Sequence, residues 1–150
     1  MSHFLLDVNV LVALLWPPHQ SHSAAQNWFG KNAHHGWATC ALTEAGFVRI
    51  LSNPAFTPDA VTPVEAVKAL EANSQHRFHH FWADDVSFAE AVRPFRQRLM
   101  GHRQVSDAYL LGLAIHRRGK LATLDRGIIS LLPEDSPDRE RVELIDARIQ

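Results

Sequence analysis

The sequence predicts an α/β fold around a mainly parallel sheet. Two observations point there: short apolar runs of strand length recur along the chain, and helical stretches with recognisable start signals stand between them. Alternation of this kind gives layered folds with parallel strands, because a chain that returns through a helix re-enters the sheet in the same direction.

The first strand is expected over His3 to Leu6, with Asp7 at its junction to an apolar helix over Val8 to Trp16. Pro17 and Pro18 stop that helix, since neither can donate to the helical ladder. Ser21 is a good N-cap for a second helix reaching about His34, with Ala25, Trp28 and Phe29 on one face. Gly36 then opens a strand, Trp37 to Cys40. Thr43 is read as the N-cap of a helix ending before Asn53 and Pro54. Thr62-Pro63-Val64-Glu65 is a capping box with proline at the first helical position. Phe78 to Trp82 supplies a third strand, and Ser87-Phe88-Ala89-Glu90 a second capping box whose helix Pro94 cuts short. Ser106 is read as the cap of a helix from Asp107 to Arg118, closed by Gly119. Leu121 to Leu124 is the next buried strand, Val142 to Ile145 an edge strand, and the polar run Pro133 to Arg141 a loose loop.

The chain has 150 residues, the size of one ordinary domain, and no internal repeat or linker divides it, so residues 1–150 are expected to form a single unit. Its 46% hydrophobic and 21% charged residues leave no room for a long disordered tail. Cys40 is the sole cysteine, which excludes an intrachain disulfide and a thiolate zinc cage and fits a reducing, cytoplasmic setting. The apolar run Val10 to Trp16 follows Asp7 and Asn9 rather than a basic segment, so no secretion signal is expected. No apolar stretch approaches the roughly 18 residues of a membrane span.

The formal net charge of −1 excludes a global basic excess, so any nucleic-acid affinity must be local. Arg93, Arg96, Arg98, His102 and Arg103 gather on one stretch, with Arg117, Arg118 and Lys120 further on. The first group is the candidate phosphate-contacting surface.

Acids placed where apolar residues belong are the informative feature, because a charge on a core face is costly unless something neutralises it. Helical spacing puts Glu44 on the face of Phe47, Val48 and Leu51, and Asp107 on that of Leu110, Leu111 and Ala114. Asp7 follows the strand residues Phe4-Leu5-Leu6, and Asp125 follows Leu121-Ala122-Thr123-Leu124. Taken singly, each has a plain structural role: Glu44 and Asp107 can complement a helix dipole, Asp7 can cap a helix, and Asp125 can make a turn before Arg126-Gly127. In an open α/β sheet, however, strand carboxyl ends and the adjoining helix N-termini share one edge, so all four can meet there. Carboxylates brought together repel unless cations intervene. Oxygen-only ligands favour magnesium or manganese over zinc.

At these residues the sequence resembles the PIN domain, specifically the VapC-type toxins of bacterial toxin-antitoxin pairs. The matching segments are Leu5 to Leu11, Thr43 to Arg49, Ser106 to Leu110 and Ala122 to Gly127, in the family's order and spanning nearly the whole chain. The resemblance implies a three-layer α/β/α fold, a homodimer, a cognate antitoxin partner, and metal-dependent endoribonuclease activity on structured RNA such as transfer or ribosomal RNA. It makes Asp7, Glu44, Asp107 and Asp125 the catalytic and metal-binding acids, with Asp7 and Asp107 the most direct ligands. Glu44 would bind directly or through water, and Asp125 at a second site or through water. Asn9, Thr43 and Ser106 match small polar positions that support the acids or bind substrate. The stretch Asn53 to Arg103 carries no family motif.

Other chemistries fit less well. The ten histidines include the neighbours His34-His35 and His79-His80, but adjacent residues point different ways and no His-Glu-x-x-His spacing occurs. Glycine-rich nucleotide-binding motifs are lacking. A DNA or structure-specific nuclease of the same acidic architecture is the enzymatic alternative, though the chain lacks the length for the appendages those enzymes carry. A protein-binding module whose acids are only structural is the non-enzymatic one.

Overall fold

The computed structural model describes residues 3–147, so residues 1–2 and 148–150 of the expected single unit lie outside the described residues. Five strands form one sheet: β1 (Phe4–Leu6), β2 (Trp37–Cys40), β3 (His79–Trp82), β4 (Lys120–Thr123) and β5 (Val142–Leu144), in the spatial order β3-β2-β1-β4-β5. Every pairing is parallel. Six α-helices accompany them: α1 (Val8–Leu15), α2 (His22–Asn32), α3 (Ala41–Leu51), α4 (Pro63–Asn73), α5 (Phe88–Val92) and α6 (Val105–His116).

Strand alternation divides the interior into two cores and gives the three-layer α/β/α arrangement. Leu5, Ala38, Cys40, Trp82 and Leu121 face the layer built by α5, α6 and the 3₁₀ segment Arg126–Leu131. Phe4, Leu6, Trp37 and Ala122 face the opposite layer, where α1, α3 and α4 supply Val10, Leu11, Phe47, Leu51 and Ala66. The central strand β1 is buried throughout, which is why Phe-Leu-Leu is apolar without alternation.

The strand order fixes where a site can form. From β1 the chain moves outward through β2 to β3, then returns to the other side of β1 for β4 and β5. After β1 it enters α1 in one layer, and after β4 it enters Arg126–Leu131 in the other. The chain thus splits at the carboxyl ends of β1 and β4 and leaves a crevice there, the usual ligand position in open α/β sheets.

Several local expectations are corrected. Thr43 is not a cap: α3 begins at Ala41, directly after β2, with Cys40 as its N-cap. The Thr43 hydroxyl instead accepts from the Cys40 backbone N–H at 3.0 Å, the reciprocal half of a capping box. Likewise α6 starts at Val105 out of a 3₁₀ turn, His102–Gln104, so Ser106 lies exposed within its first turn. The end of α6 is closed by Arg118, whose φ of 57° is left-handed, rather than by Gly119. Arg118 N–H donates to the Ile115 carbonyl and Gly119 N–H to the Ala114 carbonyl, a Schellman closure. Gly119 is small for a different reason: a Cβ there would lie 2.6 Å from the Trp82 ring. Pro133 to Arg141 is not a loose loop, since it contains the 3₁₀ turn Pro137–Arg141 and Arg139 bonds the carbonyls of Pro133 and Leu132.

Candidate active site

Asp7 ends β1 and caps α1, so it sits at the mouth of the crevice yet is only 4% exposed. Two donors hold its carboxylate: Val8 N–H to Oδ1 at 2.7 Å and the Thr123 hydroxyl to Oδ2 at 2.7 Å. Burial pushes its pKa up, the two hydrogen bonds oppose that, and the charge of Asp125 adds to it.

Thr123 is fully buried at the end of β4, where the parallel register of Leu6 with Ala122 sets it beside Asp7. Its oxygen also accepts the Asp125 backbone N–H at 3.0 Å, so one hydroxyl orients the residue after β1 and the backbone leading out of β4. Asn9 ties the same ends together from α1, accepting the Leu124 N–H at 3.2 Å. Asp125 is exposed, and its Oδ1 accepts the Gly127 N–H at 2.8 Å in an Asx turn.

Asp107 approaches from the first turn of α6. Its pKa is raised to about 6, chiefly by burial and then by the charges of Asp7 and Asp125. Three aspartates from distant parts of the chain therefore share one field. The charges acting on Asp7 and Asp107 come from fellow aspartates and not from Glu44.

Glu44 is held differently. The Thr39 hydroxyl donates to its Oε2 at 2.6 Å, and the same hydroxyl lies 2.8 Å from His79 Nε2. This chain runs from α3 across β2 to β3. Burial lowers the His79 pKa and the Glu44 charge raises it. Thr39 and Thr123 escape sequence reasoning because β-branched residues read as ordinary strand formers. The usable signal was a hydroxyl in an otherwise apolar buried strand, near an acid in the chain.

The candidate phosphate-contacting arginines are exposed. Arg93 pairs with Glu90 at 3.5 Å, Arg98 donates to the Ser130 carbonyl at 3.1 Å, and Arg93, Arg96 and Arg98 line one recess with Pro133. Arg103 stands in the turn that leads into α6.

The donor chemistry suits a hard divalent cation. Asp7, Asp107 and Asp125 offer only carboxylate oxygens, and for Asp7 and Asp107 burial together with neighbouring aspartate charge leaves the negative charge short of compensation. Among the described residues no group of three or more His, Cys, Asp or Glu side chains is placed to hold a metal ion by itself, so a cation here would need water or substrate oxygens to complete its shell. An open set of this kind matches magnesium, which keeps several waters.

A buried aspartate after β1, a second in the first turn of α6 and a third after β4 thus stand at the carboxyl edge of a parallel α/β sheet. The family model of the PIN domain matches residues 4–134, and the chain belongs to that family. Within it the chain is similar to Ribonuclease VapC38 of Mycobacterium tuberculosis, 47% identical over 127 residues that cover 85% of this chain and 88% of the relative. Ribonuclease VapC39 of the same organism is 44% identical over 124 residues, covering 83% and 89%. The fold is also that of FitAcB from Neisseria gonorrhoeae, with a TM-score of 0.59 at 17% identity over 98% of this chain and 99% of that one.

Proposed function

We propose that the chain is a divalent-metal-dependent endoribonuclease that cleaves structured RNA in the cytoplasm and is held in check by a cognate antitoxin. The observation that carries this is the convergence of Asp7, Asp107 and Asp125 at the crevice between β1 and β4, where burial first and the neighbouring aspartate charges second raise the Asp107 pKa to about 6. The VapC ribonuclease relatives support the same reading.

Asp7 and Asp107 are the proposed direct ligands of magnesium or manganese, Asp125 a flanking or water-mediated one, and Glu44 an outer one through water. When bound, such a cation supplies charge neutralisation for the scissile phosphate and lowers the pKa of water. The chain's own residues do the positioning. Thr123 holds Asp7, Asn9 holds the exit of β4, and Thr39 holds Glu44. In-line hydrolysis of this kind leaves a 5′-phosphate and a 3′-hydroxyl. Arg93, Arg96, Arg98 and Arg103 are proposed to steer the RNA backbone.

The proposed antitoxin presents an arginine to the acidic crevice, where its planar fork suits a carboxylate pair. A homodimer is the proposed assembly. Inducing the protein in cells and mapping new RNA 5′-ends tests this reading: discrete new ends carrying 5′-phosphate are expected, and an unchanged 5′-end profile at toxic expression overturns it.

A further inference from the structure

At the opposite edge of the sheet from the acids lies a recess lined by His3, His80, Phe81, Trp82, Arg117 and Arg118. Its polar groups are two imidazoles and two guanidinium groups, with no carboxylate in the lining. His3 and His80 stack with ring centroids 4.4 Å apart. Arg117 lies over the Trp82 ring at 5.5 Å and pairs with Asp85 at 3.3 Å, yet its buried Nε has no hydrogen-bond partner. Arg118 is exposed and makes no side-chain ion pair among the described residues.

The floor is built with little slack. A Cβ on Gly36, whose φ is 98°, would fall 2.6 Å from the His3 ring, and one on Gly119 would strike Trp82. Arg118 occupies the left-handed position that closes α6, where glycine costs least and a long side chain is strained. A strained arginine beside an unsatisfied arginine nitrogen suggests that something other than stability favours the cation there.

We infer that this recess is a second RNA-binding site, in which a backbone phosphate is held by Arg118 with His80 and His3 while a base rests on Phe81. Guanidinium and imidazole N–H groups suit phosphate oxygens. Phe81, on the edge strand β3, is 55% exposed and offers an aromatic face beside the cations, the combination that holds single strands. The inference rests on the ribonuclease reading for its choice of RNA. Asp107 lies in the first turn of α6 and Arg118 just past its end, 11 residues on, so the two stand about 16 Å apart at about 1.5 Å per residue, a span of several nucleotides. A folded RNA can span both.

The test measures equilibrium binding of a transfer-RNA pool, with EDTA present, by wild type, Arg118→Gln and Arg118→Gly across a salt series. Both variants are expected to bind several-fold more weakly, with the slope of log affinity against log salt falling by about 1. Arg118→Gly relieves the left-handed strain, so it is expected to melt no lower than wild type while binding worse. Loss of binding through misfolding would instead lower its midpoint. Unchanged affinity and slope in both variants overturn the inference. Inorganic phosphate titrated against the histidine NMR signals separates the sources: Arg118-dependent shifts with RNA affinity unaffected mean a small-anion site, which also overturns it. Binding is read without cleavage, so an inactive wild type would count against the ribonuclease reading and leave this result standing.

Discussion

The Thr123 hydroxyl donates to Asp7 Oδ2 across 2.7 Å, joining the carboxyl ends of β4 and β1 although the residues are 116 positions apart. Because that oxygen also accepts the Asp125 N–H, its proton has one direction to point. A side chain with no charge thus sets the orientation of the most buried acid in the crevice.

Thr123→Val keeps the shape and removes the hydroxyl, leaving a buried carboxylate short of a donor. Stability is expected to fall by about 1 to 3 kcal/mol, and RNA cleavage to fall with it, whereas Thr123→Ser retains most of both. Denaturant melts and cleavage assays on the three proteins check this. Equal behaviour of Val and wild type would show that the hydrogen bond does not matter.

Asp107 gives a pH dependence with a definite sign. Its folded pKa of about 6 lies above the 3.8 of a free aspartate, so the fold favours the protonated acid. The resulting destabilisation is absent below the unfolded pKa and fully present once pH exceeds the folded one. Without metal, Asp107→Asn is therefore expected to stabilise the protein at pH 8 and to lose that advantage toward pH 4. Comparing variant with wild type at each pH cancels the opposing titration of His3, His19 and His79, whose pKa values burial lowers. If Asp107 served only the α6 dipole, the variant would lose about 0.3 to 1 kcal/mol at neutral pH instead.

Magnesium or manganese is expected to raise the melting midpoint by relieving the same repulsion. At a hundredfold excess over its dissociation constant the gain is about 2.7 kcal/mol. Asp7→Asn should abolish most of the shift. Identical midpoints with EDTA and with either metal would count against cation binding by these aspartates.

Gly112 lies inside α6 where a Cβ would come 2.3 Å from the Ala91 carbonyl oxygen of α5. Helix propensity alone favours alanine by about 1 kcal/mol. Overpacking against backbone costs about 1 to 3 kcal/mol, so Gly112→Ala is expected to destabilise. A higher melting midpoint for the variant would show that α5 gives way freely.

How much was legible follows from these residues. Asp107 was visible because a charge stands at the head of an apolar stripe, and Asp7 because it breaks the run Phe4-Leu5-Leu6. The parallel sheet was visible in the alternation of strands and capped helices. Thr39 and Thr123 were not, since their hydroxyls matter only through partners brought by tertiary pairing. Arg118 took the position read as Gly119 for a similar reason: the sequence shows a glycine at a helix end, but only the packing of Trp82 shows which residue needs to be small. Thr43 and Ser106 misled because a hydroxyl near a helix start fits more than one position of the first turn.

The central claim is that the aspartates of the β1–β4 crevice hold a divalent cation for RNA hydrolysis. Single-turnover cleavage of an RNA bearing the site mapped in cells, by wild type and Asp107→Asn with magnesium, manganese or EDTA, tests it most directly. The account predicts products with 5′-phosphate from wild type with metal only, and none from Asp107→Asn even though it folds as well as wild type. Cleavage by a well-folded Asp107→Asn at the wild-type rate, or wild-type cleavage undiminished in EDTA, would contradict it.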